Sequence, residues 1–147
     1  MTAAEALRAN TVILAIAFDA VPDAVKGVKW DSRIVVDATN AIDFPAFTPR
    51  DLKGRLSTEI VADAVSGARV VKAFNTLPAA ILRADPAVFG GRRVLFVSGD
   101  DASARTAIVD LVKRLGFAAV NLGSIAEGGH AQQFGGGVAA KEFVQFR

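Results

Sequence analysis

Val70-Val71-Lys72-Ala73-Phe74-Asn75-Thr76 is an apolar run that ends in a polar elbow. Parallel strands buried on both faces read this way, and open α/β sheets bind ligands just beyond the carboxyl ends of such strands. Ile34-Val35-Val36-Asp37-Ala38-Thr39-Asn40 repeats the pattern, and Val12-Ile13-Leu14-Ala15-Ile16-Ala17-Phe18 precedes both. Three strands are therefore expected to deliver small and amide side chains to one rim. A glycine-rich phosphate loop would be expected ahead of them, and the sequence shows none there.

The chain of 147 residues suits one domain spanning 1–147, with 52% apolar and 22% charged residues to build a packed core. A net charge of +2 with both signs scattered gives no basic stripe for nucleic acid. Arg92-Arg93, the densest basic spot, reads as a solvated flank of a strand start. Without cysteine there are no disulfides, thiolate metal sites or cysteine nucleophiles, and a single histidine excludes a histidine-rich metal cluster. No leader pattern or membrane-length apolar run is present, so a cytoplasmic protein without membrane contacts is expected.

Around the opening stretch the chain alternates strand and helix. Strands are expected at 11–18, 33–39, 69–74, 94–98 and 118–122. Helices are expected at 3–9, 21–28, from Ser57 to Ser66-Gly67, at 77–83 and at 102–115. In the helix from Ala102, residues Ala104, Ala107, Ile108, Leu111 and Leu115 recur at helical spacing and predict one buried face. Residues 40–55 read as a loop and Gly128 to Gly137 as another. This alternation implies an α/β fold, a three-layer and mostly parallel Rossmann-like sheet with right-handed crossovers.

Several local patterns resolve to ordinary roles. Gly135 to Ala140 satisfies G-x-G-x-x-A formally but lacks the preceding strand and the acidic partner downstream. In Gly99-Asp100-Asp101 one aspartate reads as a helix cap and the other as a complement to the helix N-terminus. Asp37, inside an apolar strand, must find donors, with Thr39 the first choice. His130 reads as a solvated residue in a glycine-rich loop. Asn40 and Asn75-Thr76 are more open. They either cap strand-end turns or orient a carboxamide-bearing ring without bringing charge.

Taken in order, Ile13 to Pro22, Val36 to Asn40, Val71 to Thr76 and Phe96 to Asp101 resemble the NADP-dependent oxidoreductases related to the NADPH:coenzyme F-420 reductase. The resemblance implies a Rossmann-type domain passing hydride between NADP(H) and a deazaflavin (coenzyme F-420) or flavin-like acceptor. It places Ile16, Ala17, Phe18, Asn40, Ala73, Phe74, Asn75 and Thr76 at the cofactor. Leu77, Pro78, Gly128, Gly129 and His130 would border the small-molecule redox substrate. No catalytic acid or base is implied, since direct hydride transfer needs ring orientation above all.

Relative to that family, the chain is expected to lack the first βαβ phosphate-binding unit, and so to hold NADPH weakly. The apolar first strand is then expected to form an edge, open to pairing in a homodimer. A non-enzymatic α/β interaction module, or a half-domain completed by a partner chain, is the rival reading.

Overall fold

The computed structural model describes residues 2–146. Helix α1 (Ala3–Ala6) leads into β1 (Thr11–Leu14), a 3-10 turn at Phe18–Ala20 and α2 (Val21–Ala24). Then come β2 (Ile34–Asp37), a hairpin of β3 (Ile42–Asp43) and β4 (Thr48–Pro49), and α3 (Ser57–Ala64). Strand β5 (Arg69–Lys72), one-turn helix α4 (Ala79–Leu82), β6 (Ala87–Val88) and β7 (Gly91–Gly99) follow. Helix α5 (Ala102–Arg114), β8 (Ala118–Asn121), α6 (Ile125–Gln132) and β9 (Val144–Gln145) complete the chain.

The main sheet runs β1-β2-β5-β7-β6, with β8 and β9 also paired to β7. Strands β1, β2 and β5 are parallel and in register, Leu14 beside Asp37 and Asp37 beside Lys72. Their carboxyl ends therefore share one rim. Strand β2 is buried throughout because the sheet is covered on both faces. On one side Ile34, Val36, Val71, Leu95 and Val97 pack beneath Ala104, Ile108 and Val112 of α5. On the other, Val12, Leu14 and Val35 pack with Val21 and Val25 around α2 and with Val61 and Val65 around α3. The architecture is the expected three-layer, mostly parallel α/β fold.

Four details differ from expectation. β7 runs antiparallel to β5, pairing Val71 with Gly99. Helix α4 is too short to carry the chain back across the sheet, and β7 enters from the opposite end through the β6–β7 hairpin. That hairpin turns on Phe89 and Gly90, both at positive φ. Second, β1 stops at Leu14 and buries only one face, leaving Ile13 46% exposed.

Third, the buried stripe of α5 is Ala104, Ile108 and Val112, a strict i, i+4 line, while Leu115 at the helix end is 51% exposed. The fourth difference bears on the site. Gly128 and Gly129 lie inside α6, not in a loop. Ser124 and Glu127 form a capping box that starts this helix, with Ser124 N donating to Glu127 Oε2 at 2.7 Å. Glycine is required because a Cβ on Gly128 would lie 2.5 Å from Leu122 Cβ and 2.9 Å from Ser98 Cβ. The residue permits close helix-to-sheet approach, which its low helix propensity conceals in the sequence.

The remaining expectations resolve at the edges of the sheet. Arg93 pairs with Glu142 at 2.6 Å and Arg92 donates to the Gly116 carbonyl, so this pair is a structural flank. Among the described residues beyond Gly135 there is no helix, and β9 pairs antiparallel with β7. Among the described residues, no helix is long and apolar enough to cross a membrane.

Candidate functional site

Where β1, β2 and β5 end, the chain leaves a groove of about 390 Å³. Each strand contributes its exit residues: Ala15 and Ile16 from β1, Ala38 and Asn40 from β2, Phe74 and Asn75 from β5. Ile13, Ile42, Phe44, Leu77, Ala79 and Leu82 complete the lining. No lining side chain is ionisable. Small residues at Ala15 and Ala38 leave the strand-end backbone accessible, and the isoleucine and phenylalanine side chains supply apolar contact, flat at the phenylalanine rings.

Beneath this rim lies a buried ion pair that no local pattern identifies. Lys72 Nζ donates to Asp37 Oδ2 at 2.9 Å, and both side chains are fully buried. Lys72 Nζ also donates to the Thr39 carbonyl at 2.9 Å. Asp37 Oδ1 accepts from Thr39 N at 2.9 Å and Thr39 Oγ1 at 2.6 Å, while Oδ2 accepts from Thr58 Oγ1 at 2.7 Å. Thr39 is thus the expected partner, but Lys72 and Thr58 join it. Burial pushes the Asp37 carboxyl up, and the neighbouring ammonium with these hydrogen bonds outweighs that, holding it below the usual carboxylate range. The ion pair ties the end of β2 to the end of β5 and to α3.

A chain of amides makes a second tie. Gln132 at the end of α6 is completely buried, and its Nε2 donates to the carbonyls of Lys72 and Phe96, each at 2.9 Å. Its Oε1 accepts from Ser98 Oγ at 2.7 Å. Asn75 Nδ2 donates to the Gln132 carbonyl at 2.7 Å and to Asn40 Oδ1 at 3.1 Å. In return Asn40 Nδ2 donates to the Asn75 carbonyl at 2.9 Å. Between these ties Phe74 sits at φ 65°, a left-handed conformation that costs a non-glycine residue about 1 kcal/mol. The surrounding network over-determines that elbow.

The groove brings together Ile16, Asn40, Phe74, Asn75 and Leu77 of the residues singled out in the sequence. Ala73 is buried in the core below the rim, and Thr76, also buried, accepts from Ala140 N through its carbonyl. Ala17 precedes the 3-10 turn. Phe18 turns away from the groove to pack beside Val21 and Val61, with the Arg50 guanidinium over its ring. Pro78 is exposed at the start of α4. Gly128 and Gly129 are buried in α6, and His130 is exposed on that helix, outside the groove lining.

The aspartates of Gly99-Asp100-Asp101 divide two capping duties. Asp101 caps α5 through Ala104 N at 2.7 Å, whereas Asp100 accepts from Ile125 N at 2.9 Å at the start of α6.

No protein-family profile matches the chain. Over 94 residues it is 30% identical to the metalloreductase STEAP3 of Rattus norvegicus, covering 64% of this chain and 18% of that protein. The chain thus spans less than a fifth of this curated relative. Its fold superposes with a TM-score of 0.73 and 29% identity on a proposed F-420-dependent NADP reductase from Arthrobacter sp. FB24, over 84% of this chain and 59% of that one. With the hypothetical protein SMa0349 from Sinorhizobium meliloti the TM-score is 0.95 and the identity 54%, over 97% of this chain and 70% of that one. At that identity and coverage, the chain belongs to the same protein family as SMa0349.

Proposed function

We propose that the chain carries the nicotinamide-side half of an NADP-dependent oxidoreductase that moves hydride between NADP(H) and a deazaflavin, coenzyme F-420, or a flavin-like acceptor. One observation carries the reading: three parallel strands end in an apolar groove with no ionisable lining side chain. A reaction needing a general acid, base or nucleophile is poorly served there, whereas hydride transfer between two flat rings requires orientation and exclusion of water. The names of the Arthrobacter and rat relatives support it, as both are reductases.

The residues fit the nicotinamide end of the cofactor. The groove lies in the size range of small-ligand sites, and Asn40 offers an uncharged donor and acceptor beside apolar walls. When bound, the nicotinamide supplies the hydride. The protein's share is to seat the ring on Ile16 and Phe74, to keep the strand-end backbone close through Ala15 and Ala38, and to hold the elbow rigid. The test is transfer of deuterium from 4,4-dideuterated NADPH to coenzyme F-420, followed by mass spectrometry of the reduced acceptor. Label in the acceptor is expected. Unlabelled reduced product, or no reduction together with no NADPH-induced NMR shift at residues 38–40 and 74–75, overturns the reading.

A second reading has its own observation. Strand β1 is the sheet edge among the described residues; Ile13 within it and Ile16 just after it are 46% and 40% exposed. Such an edge suits pairing with a second copy or a partner strand. Light scattering after size-exclusion chromatography distinguishes the two. A stable monomer over the micromolar range counts against an assembly module.

A further inference from the structure

We propose that Gln132 and Asn75 are positioning residues that aim the Asn40 carboxamide, so that the groove selects an uncharged ring bearing a primary carboxamide. This rests on the nicotinamide reading above and adds the group that is recognised and the residues that orient the recognising side chain.

A backbone carbonyl can only accept, so the Asn75 atom facing the Gln132 carbonyl at 2.7 Å must be Nδ2. Gln132 Nε2, in turn, faces Asn75 Oδ1 at 3.3 Å. A flipped Asn75 amide would be mismatched at both contacts. With Nδ2 fixed, its second N–H reaches Asn40 Oδ1, and the Asn40 Nδ2 reaches the Asn75 carbonyl. The orientation of Asn40 is therefore dictated from α6, through one intervening residue.

Asn75 has then spent both N–H donors, and it is only 6% exposed. Gln132 is spent and wholly buried. Asn40, half-buried and lining the groove, retains one N–H and one lone pair of Oδ1. No other side chain of the lining has hydrogen-bonding capacity to spare, since all except Asn40 and Asn75 are aliphatic or aromatic hydrocarbons. A primary carboxamide, with an acceptor oxygen and donor nitrogen, satisfies both vacancies. An acetyl group satisfies only the N–H. A carboxylate leaves the lone pair opposed and brings a charge into an apolar groove without a cation.

The experiment uses ring fragments, so it does not depend on contacts to the cofactor phosphates. Uniformly 15N-labelled full chain is titrated with nicotinamide, 3-acetylpyridine and nicotinate at millimolar concentration, following backbone and asparagine side-chain amides. Wild type is expected to favour nicotinamide over 3-acetylpyridine by about fivefold, the worth of one hydrogen bond, with nicotinate weaker still. Asn40→Ala, a half-exposed change that keeps the core intact, is expected to bring the nicotinamide-to-acetylpyridine ratio near one. Asn75→Ala and Gln132→Met should do the same while 3-acetylpyridine binding stays within about twofold, a split that general loosening would not produce.

In the ligand-free protein those two variants should also move the Asn40 side-chain amide resonances. Absence of any nicotinamide shift at residues 38–40 and 74–75 defeats the groove reading itself. Binding with an equal ratio in wild type and Asn40→Ala overturns the selectivity alone. A ratio lost in Asn40→Ala but kept in Asn75→Ala overturns the positioning role.

Discussion

Replacing Lys72 by methionine removes the cation that faces the buried Asp37 carboxylate and keeps the length of the side chain. Asp37 and Lys72 are both fully buried, 2.9 Å apart, so the charge left behind has no solvent to relax into. Breaking a buried pair from one side costs about 3–5 kcal/mol, a large part of the roughly 5–15 kcal/mol that holds a domain together. The Thr39 carbonyl also loses its donor. For a chain of this size that cost lowers Tm by about 6–20 °C. The double variant Asp37→Asn/Lys72→Met should recover most of the loss. An asparagine can still accept from Thr39 and donate to Thr58, and no charge is then buried.

The pH dependence gives the sharper reading. In the wild type, burial raises the Asp37 pKa, but Lys72, Thr39 and Thr58 more than offset it, so the folded value lies below the unfolded one. The contribution is therefore complete above the unfolded pKa of about 4 and is lost as pH falls through the folded value. In Lys72→Met the cation is gone, burial dominates and the sign reverses: the folded pKa rises above the unfolded one. Acidification then neutralises the stranded carboxyl and relieves the penalty. Thermal unfolding from pH 7 down to pH 4 should show the wild-type and Lys72→Met curves converging. A gap that stays constant over this range, or a double variant no more stable than Lys72→Met, would refute the reasoning.

Two further outcomes follow from α6. Gly128→Ala places a methyl against Leu122 and Ser98 across the helix–sheet contact, and the overpacking should cost about 1–3 kcal/mol, read by urea unfolding. His130→Ala, one helical turn away from Gln133 on an exposed position, should change stability by less than about 0.5 kcal/mol. It should also leave the rate of NADPH-dependent acceptor reduction unchanged between pH 6 and 8, and a loss of turnover would bring His130 into the reaction.

What could be read in advance follows the range of the forces involved. Strands β2 and β5 are legible because burial within a covered sheet favours a mostly aliphatic run, a local property of the chain. The direction of β7 is not legible, since an apolar run has no polarity and the short α4 that reverses the path differs from a crossover helix only in length. Helix α6 is hidden for the opposite reason. Gly128 is set by its tertiary contact with Leu122 and Ser98, Gly129 packs close to Leu56, and both weaken the local signal for helix. Asn75 carries no local mark of its role, because its partner Gln132 is 57 residues away in the sequence.

The ion pair was closer to the surface of the sequence. Asp37 ends β2 and Lys72 ends β5, each a charge closing an aliphatic run, and the parallel register sets them side by side. A charge in such a position is too costly to stand alone, so two opposite charges at matching depths in adjacent strands predict each other. Both fall immediately before the loops that form the groove. That placement has a physical logic: strand-end loops lack ladder hydrogen bonds, and a rim that must hold Phe74 at positive φ needs other groups to fix it. The buried polar residues behind the rim supply that rigidity, while the apolar residues on it line the groove. In this fold, polar interruptions of buried strands mark the rim as clearly as the residues that line it.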